Sequence, residues 1–395
     1  MPDGKTVILT NARVLQGRRL RNPDVAVRAG KITYVGPHSD APDGISVDLN
    51  GAVLSPGLID LHTHGIERLY AADAPLAEYS LVEARHGVTS FLPTLIPREA
   101  EAFLATIRRI RQEMRADLPG AGCPGIYLEG PWLAARGGMN DRFLRQSMED
   151  DLRERIMEAG GGGIRIIGLS PELIRAPGNI RNLTARGIVV AVTHTRCDIM
   201  QLNSATDAGA SLATHLFDVY EQGRTTEPGV YPVGIVETIL ADDRIFAEII
   251  SDGVHVPPTW LRICLRCKGP ERIVLVTDSM TGAGLPSGAY RLPDGAQITI
   301  REGDGARNSD GGLYGSALTM DRAVRGMVRF GKAALPDALR MASETPAALL
   351  GMSGRKGRIQ PGYDADLTAF IPGDEYRVVM TMVAGRIVYR APELA

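Results

Sequence analysis

At 395 residues the chain is too long for one minimal domain and suits a large barrel with a small satellite. Its 44% apolar and 23% charged residues are ordinary for a soluble globular protein, and a formal net charge of -2 argues against nucleic acid or an acidic membrane as partner. No apolar run approaches the ~18 residues needed to cross a bilayer, and no basic run interleaves with aromatics, so the expected partner is a small-molecule substrate.

The N-terminal residues alternate and turn. Stretches 6–9, 24–28 and 31–36 read as short strands punctuated by Gly or Pro, entered directly with no signal peptide in view. A cytoplasmic location follows as the expectation. Similar strands return at 365–370, 376–380 and 385–389. The economical reading is one small β-sandwich domain built from residues 1–55 and 358–395, with 56–357 inserted between its halves.

The middle has a different rhythm. Short β-branched runs at 58–64, 88–95, 125–132, 164–172, 188–195, 211–217, 246–255 and 273–280 alternate with helical stretches. The clearest helix is 99–118, where Phe103, Ile107 and Ile110 mark an apolar stripe; 317–330 and 336–350 would complete the outer ring. Eight parallel strands with intervening helices predict an α/β fold, a (β/α)8 TIM-like barrel.

Active sites of such barrels form where strands end and βα loops begin. The first run ends in His62-Thr63-His64, the third carries Glu129, the fifth ends at His194 and the sixth at His215. The seventh ends Asp252-Gly253-Val254-His255, and the eighth ends Val276-Thr277-Asp278. Six of eight runs thus end in a metal ligand or proton carrier, and they hold five of the seven histidines. His-x-His turns both imidazoles to one side of a strand, and a lone Glu in an apolar strand is costly to bury unpaired. Taken singly, His194 or His215 reads by default as a satisfied structural histidine; together with Glu129 they suit zinc or a similar divalent ion. Asp278 fits a ligand, a general base, or both. His38, in a loop, and His86, at a helix end, read as structural.

The set predicts metal-assisted hydrolysis. A divalent ion lowers the pKa of bound water toward ~7 and polarises a carbonyl, Asp278 can move the proton, and His255 can bond the carbonyl or developing oxyanion. No Gly-x-Ser-x-Gly elbow is present, and no Gly-x-Gly-x-x-Gly joins a strand to a helix. Cys264 and Cys267 form C-x-x-C without a second pair, in a helical stretch, and with Cys123 and Cys197 read as reduced structural thiols.

The strand 55–64, with Leu128-Glu129-Gly130-Pro131-Trp132, Thr214-His215-Leu216-Phe217, Asp252-Gly253-Val254-His255, Val276-Thr277-Asp278 and Gly315-Ser316-Ala317-Leu318-Thr319-Met320, resembles the N-acetylglucosamine-6-phosphate deacetylase family of the amidohydrolase superfamily. The likeness runs in order from Val7 to Val388. It implies a metal on Glu129, His194 and His215, Asp278 as acid/base and also in the metal set, and His255 on the substrate carbonyl. His62 and His64 match members that hold a second metal. One or two divalent ions are expected, zinc first, with iron, manganese or cobalt as alternatives, in a homodimer.

Two departures touch the substrate. Where the family has Asn-Ala after the strand-six His-Leu-Phe, this chain has Asp218-Val219, a carboxylate in place of an amide donor beside a phosphate. Met139, followed by Asn140, replaces a sugar-contacting His. Arg224 would supply the phosphate-binding Arg at altered spacing, and Leu313 completes the substrate contacts. The resemblance implies deacetylation of an N-acetylated amino sugar, by default N-acetylglucosamine 6-phosphate. The alternatives are a non-phosphorylated N-acyl substrate and a deaminase or cyclic-amide hydrolase, although the fourth run lacks the Lys that many of the latter use.

Overall fold

The computed structural model describes residues 5–148, 150–223, 227–293, 295–373 and 376–394. Eight parallel strands, numbered here β1 to β8, lie in sequential order: Leu58–Thr63, Val88–Leu95, Ile126–Glu129, Ile164–Leu169, Val189–Val192, Leu212–Ala213, Phe246–Ile249 and Ile273–Leu275. β1 to β3 are buried along their whole length, as expected of strands covered on both faces. The ring closes just beyond the last strand, where Asp278 N donates to His62 O at 2.8 Å and His64 N to Ser279 O at 2.9 Å. All eight runs read from the sequence are therefore barrel strands.

The helices follow the apolar stripes, with shifted ends. Ala100–Glu113 buries Phe103, Leu104, Ile107 and Ile110, and the Glu99 side chain caps it by accepting from the amides of Glu101 and Ala102. It ends at Glu113, short of residue 118, and Pro119 disfavours helical backbone at Leu118. The expected helix 336–350 is two helices, Leu335–Met341 and Glu344–Leu349. Pro346 has no N–H to give the Ala342 carbonyl, and that oxygen instead accepts from Ile59 N in β1 at 2.8 Å. The break thus ties the outer helices to the barrel. Helix Met320–Arg329 lies so close to the end of β7 that a Cβ at Gly326 would sit 1.9 Å from Ser251 O. Only glycine permits that approach. Among the described residues, no helix is long and apolar enough to cross a membrane.

Strands from both ends of the chain form two small sheets. Lys31–Gly36, Asp24–Arg28, Val7–Thr10 and Ile45–Asp48 make one. In the other, Val53–Pro56 pairs antiparallel with Leu367–Ile371, Leu54 opposite Ala369. Leu9, Val25, Leu54, Leu367 and Met380 share one buried cluster between the sheets. Val53–Pro56 runs straight on into β1, so the satellite is anchored to the strand that carries His62 and His64.

A third sheet, unforeseen from the sequence, follows β8: Gly288–Arg291, Gln297–Arg301 and Gly305–Arg307. It closes over its own small core of Met280, Leu292, Ile298, Ile300 and Ala306.

Candidate metal centre

The side chains at the strand ends converge into two buried triads, His62 with His64 and Asp278, and Glu129 with His194 and His215. Alternation along β1 turns Thr63 away, where its Oγ1 meets Ser279 Oγ at 3.0 Å, while both imidazoles face inward. His62 Nε2 and His64 Nε2 lie 3.1 Å apart, and Asp278 Oδ1 is 3.4 Å and 3.2 Å from them. Glu129 joins the triads. Its Oε1 is 3.0 Å from His194 Nε2 and 2.8 Å from His215 Nε2, whereas its Oε2 is 3.3 Å from His64 Nε2.

Outer partners fix the rings of His62, His64 and His194 with Nε2 pointing inward. Nδ1 of His62 meets Glu248 Oε2 at 3.0 Å, Nδ1 of His64 meets the Thr94 carbonyl at 3.1 Å, and Nδ1 of His194 meets the Ala135 carbonyl at 3.0 Å. Such bonds set tautomer and orientation in metal-ligating histidines. Glu248 is the participant that sequence reasoning missed. The signal was available: like Glu129, it is a carboxylate in an otherwise apolar strand.

Three of these residues stand in left-handed backbone: His194 at φ 47°, His215 at 27° and Asp278 at 47°. Each such residue costs roughly 1–3 kcal/mol and persists only where its surroundings hold it. The carbonyl of Asp278 accepts from Ser316 N at 2.7 Å and that of His194 from Ala135 N at 2.9 Å. The same turns end β6 and β8 after two and three residues, earlier than the apolar runs predict.

The electrostatics are those of a cation cradle. Burial pushes the Glu129 carboxyl up, but bonds from His194, His215, His62 and His64 outweigh it and hold the group well below the usual carboxylate range. Burial also raises Asp278, and the His62 and His64 charges bring it down. For His215 burial acts downward, yet Glu129 lifts it to about 9. Two carboxylates and four imidazoles packed this tightly fit a divalent cation: the donors are the oxygen and nitrogen types that zinc and its neighbours take, and each triad could hold one ion.

Both triads open on a cavity of about 260 Å³, whose wall includes Met139, Asp218, Val219 and Leu313. Asn140 stands apart, exposed, its side chain accepting from Arg142 N at the start of a short 3-10 turn. Arg224 lies outside the described residues. His255 is buried behind the cavity, Nδ1 against Asp252 Oδ2 at 2.7 Å, and its Nε2 has no hydrogen-bond partner among the described residues. Burial lowers this imidazole and Asp252 raises it, with a net rise. His38 meets Asp24, and His86 sits between Asp321 and Glu67, both away from the triads. All four cysteines are free thiols; Cys264 is buried and its thiol is pushed up to about 12 by burial.

A sequence profile of the amidohydrolase family matches residues 53–388, which takes in every residue of both triads. The chain is 33% identical over 393 residues to an N-acetylglucosamine-6-phosphate deacetylase of Bacillus subtilis, spanning 97% of this chain and 96% of that protein. It is 34% identical to an N-acetylgalactosamine-6-phosphate deacetylase of Escherichia coli O157:H7, over 84% of this chain and 87% of the relative. Among solved structures, a mutant N-acetyl-D-glucosamine-6-phosphate deacetylase from Mycobacterium smegmatis, in complex with N-acetyl-D-glucosamine-6-phosphate, superposes with a TM-score of 0.85. That pair is 29% identical, with 98% of this chain and 99% of the other covered. The likeness extends through the terminal sheets as well as the barrel, so the chain belongs to the N-acetylglucosamine-6-phosphate deacetylase family of the amidohydrolase superfamily, hydrolases of C–N bonds.

Proposed function

We propose that the chain removes the acetyl group from an N-acetylated amino sugar, with N-acetylglucosamine 6-phosphate the first substrate to test. The observation that carries this reading is Glu129, one oxygen turned to each triad at the floor of a substrate-sized cavity. Glu129, His194 and His215 would hold one divalent ion, and His62, His64 and Asp278 a second. When bound, such an ion supplies a Lewis acid that polarises the acyl carbonyl and acidifies water.

The chain's own groups do the rest. Asp278, held ionised, takes a proton from the attacking water and returns it to the amide nitrogen as the C–N bond breaks, leaving acetate and a free amine. His255 Nε2, with no partner among the described residues, donates to the carbonyl oxygen as it gains charge, while Asp252 holds the ring in place. Met139, Val219 and Leu313 give the sugar an apolar wall. A homodimer in the cytoplasm belongs to the same reading.

One observation favours a second reading. Asp218 lines the cavity, and no Arg or Lys does so among the described residues. A carboxylate repels a phosphate dianion, which favours an unphosphorylated N-acyl substrate. Comparing kcat/KM for N-acetylglucosamine 6-phosphate and N-acetylglucosamine decides between them. A clear preference for the phosphate ester supports the first reading, and none moves the assignment to the second. Ammonia release in place of acetate would turn it toward a deaminase.

A further inference from the structure

We propose that a second cavity, lined by Arg301, Arg322, Arg325 and Arg329, binds a small phosphate-bearing anion at a place separate from the metal centre. This cavity is larger, about 550 Å³, within the range that holds a small ligand. Arg322, Arg325 and Arg329 follow one another at intervals of three and four along helix Met320–Arg329, which puts them on one face. Arg301 comes from the end of strand Gln297–Arg301 in the sheet beyond β8.

Arg325 has an interaction of its own, and Asp304 and Asp321 feel the charges of Arg301 and Arg322 at longer range, but Arg301, Arg322 and Arg329 lack a directly paired carboxylate among the described residues. The cavity's lining carboxylates are Asp252 and Glu302. Asp252 is already committed: Oδ1 accepts from the amides of Val254 and His255 at 2.9 Å, and Oδ2 faces His255 Nδ1. Asp321, next in the chain to Arg322, faces His86 instead. Among the described residues, no carboxylate lies within ion-pair reach of Arg301, Arg322 or Arg329. Guanidinium groups do not lose their charge in proteins, and their planar forks match phosphate oxygens two at a time. Positive charge concentrated in a concave wall focuses the field on whatever occupies it.

The two cavities are set back to back. Gly305 belongs to the arginine-lined wall, and a Cβ there would meet Leu313 of the metal cavity at 3.3 Å and His255 at 3.7 Å. A single layer of residues therefore divides them. The ligand is either inorganic phosphate or a phosphate monoester, and the inference does not depend on the substrate assigned above.

Calorimetric titration of the metal-loaded full chain with inorganic phosphate, and separately with glucose 6-phosphate, tests the site. Whichever probe binds more tightly identifies the source. Binding is expected to weaken at least tenfold in Arg322→Ala/Arg329→Ala and to fall with added salt, with basal hydrolase turnover unchanged. If the double variant does not fold, Arg301→Ala, on a different element, is expected to weaken binding in the same direction. Isotherms unaltered by the arginine substitutions would place the anion on the metal ions and overturn the proposal. So would the absence of binding by the unmodified protein at millimolar concentrations of both probes.

Discussion

Glu248 Oε2 lies 3.0 Å from Nδ1 of His62, so the other ring nitrogen of His62 is the one turned toward His64, Glu129 and Asp278. Both side chains are fully buried. Removing an outer partner of this kind typically costs 10–100-fold in metal affinity. Glu248→Ala is therefore expected to weaken metal retention by about that factor in a chelator competition. Glu248→Gln, which keeps an acceptor oxygen, should lose less. Unchanged affinity in both would remove His62 from the ligand set.

Glu129 offers one oxygen to each triad, which makes it the residue whose loss should disturb both ions at once. Elemental analysis of purified Glu129→Gln is expected to show both ions depleted and hydrolysis abolished. A variant that still carries two equivalents of metal would show that Glu129 does not bridge.

For His255 the expectation separates chemistry from metal binding. Losing a donor aimed at a developing oxyanion typically costs about 10²–10³ in kcat. His255→Gln should fall by that order with metal content intact, and Asp252→Asn should fall less, because the ring remains but is held loosely. A rise in KM alone would mean that His255 binds ground state and transition state equally.

His86 predicts how stability depends on pH. Its ring nitrogens lie 3.6 Å from Asp321 Oδ1 and 3.8 Å from Glu67 Oε1, at ion-pair distances. Burial lowers its pKa, but Asp321 and Glu67 lift it from 6.5 to about 9. A base whose pKa is raised in the folded state contributes its full stability below the unfolded value, and loses it as pH climbs through the folded one. The contribution is thus complete near pH 6 and gone near pH 10, on the order of 3 kcal/mol at most. Unfolding midpoints of the metal-loaded protein and of His86→Gln should converge between those limits. A constant gap across the range would contradict the assignment.

Much of this was legible in the sequence because burial on both faces leaves a strong signature: all eight barrel strands are largely apolar runs, and the candidate ligands stand out at their ends. The strands Gly288–Arg291 and Gln297–Arg301 were not legible. They expose alternate residues, carry arginines, and pack on only a handful of side chains, so they look like a loop. Glu248 stands out as a carboxylate in the apolar β7, but its partner His62 is brought to it only when the barrel closes and the two side chains meet in its interior. The break in 336–350 depends on where the Ala342 carbonyl finds a donor, a tertiary contact that helical periodicity does not contain.

The most direct measurement is acetate release by the metal-loaded protein from N-acetylglucosamine 6-phosphate and N-acetylglucosamine, with Asp278→Asn alongside. Turnover of at least one of these sugars, lost in the Asp278 variant, is the predicted result. Neither sugar hydrolysed by a protein with its metal sites filled, or equal rates with and without Asp278, would contradict deacetylation by this metal centre.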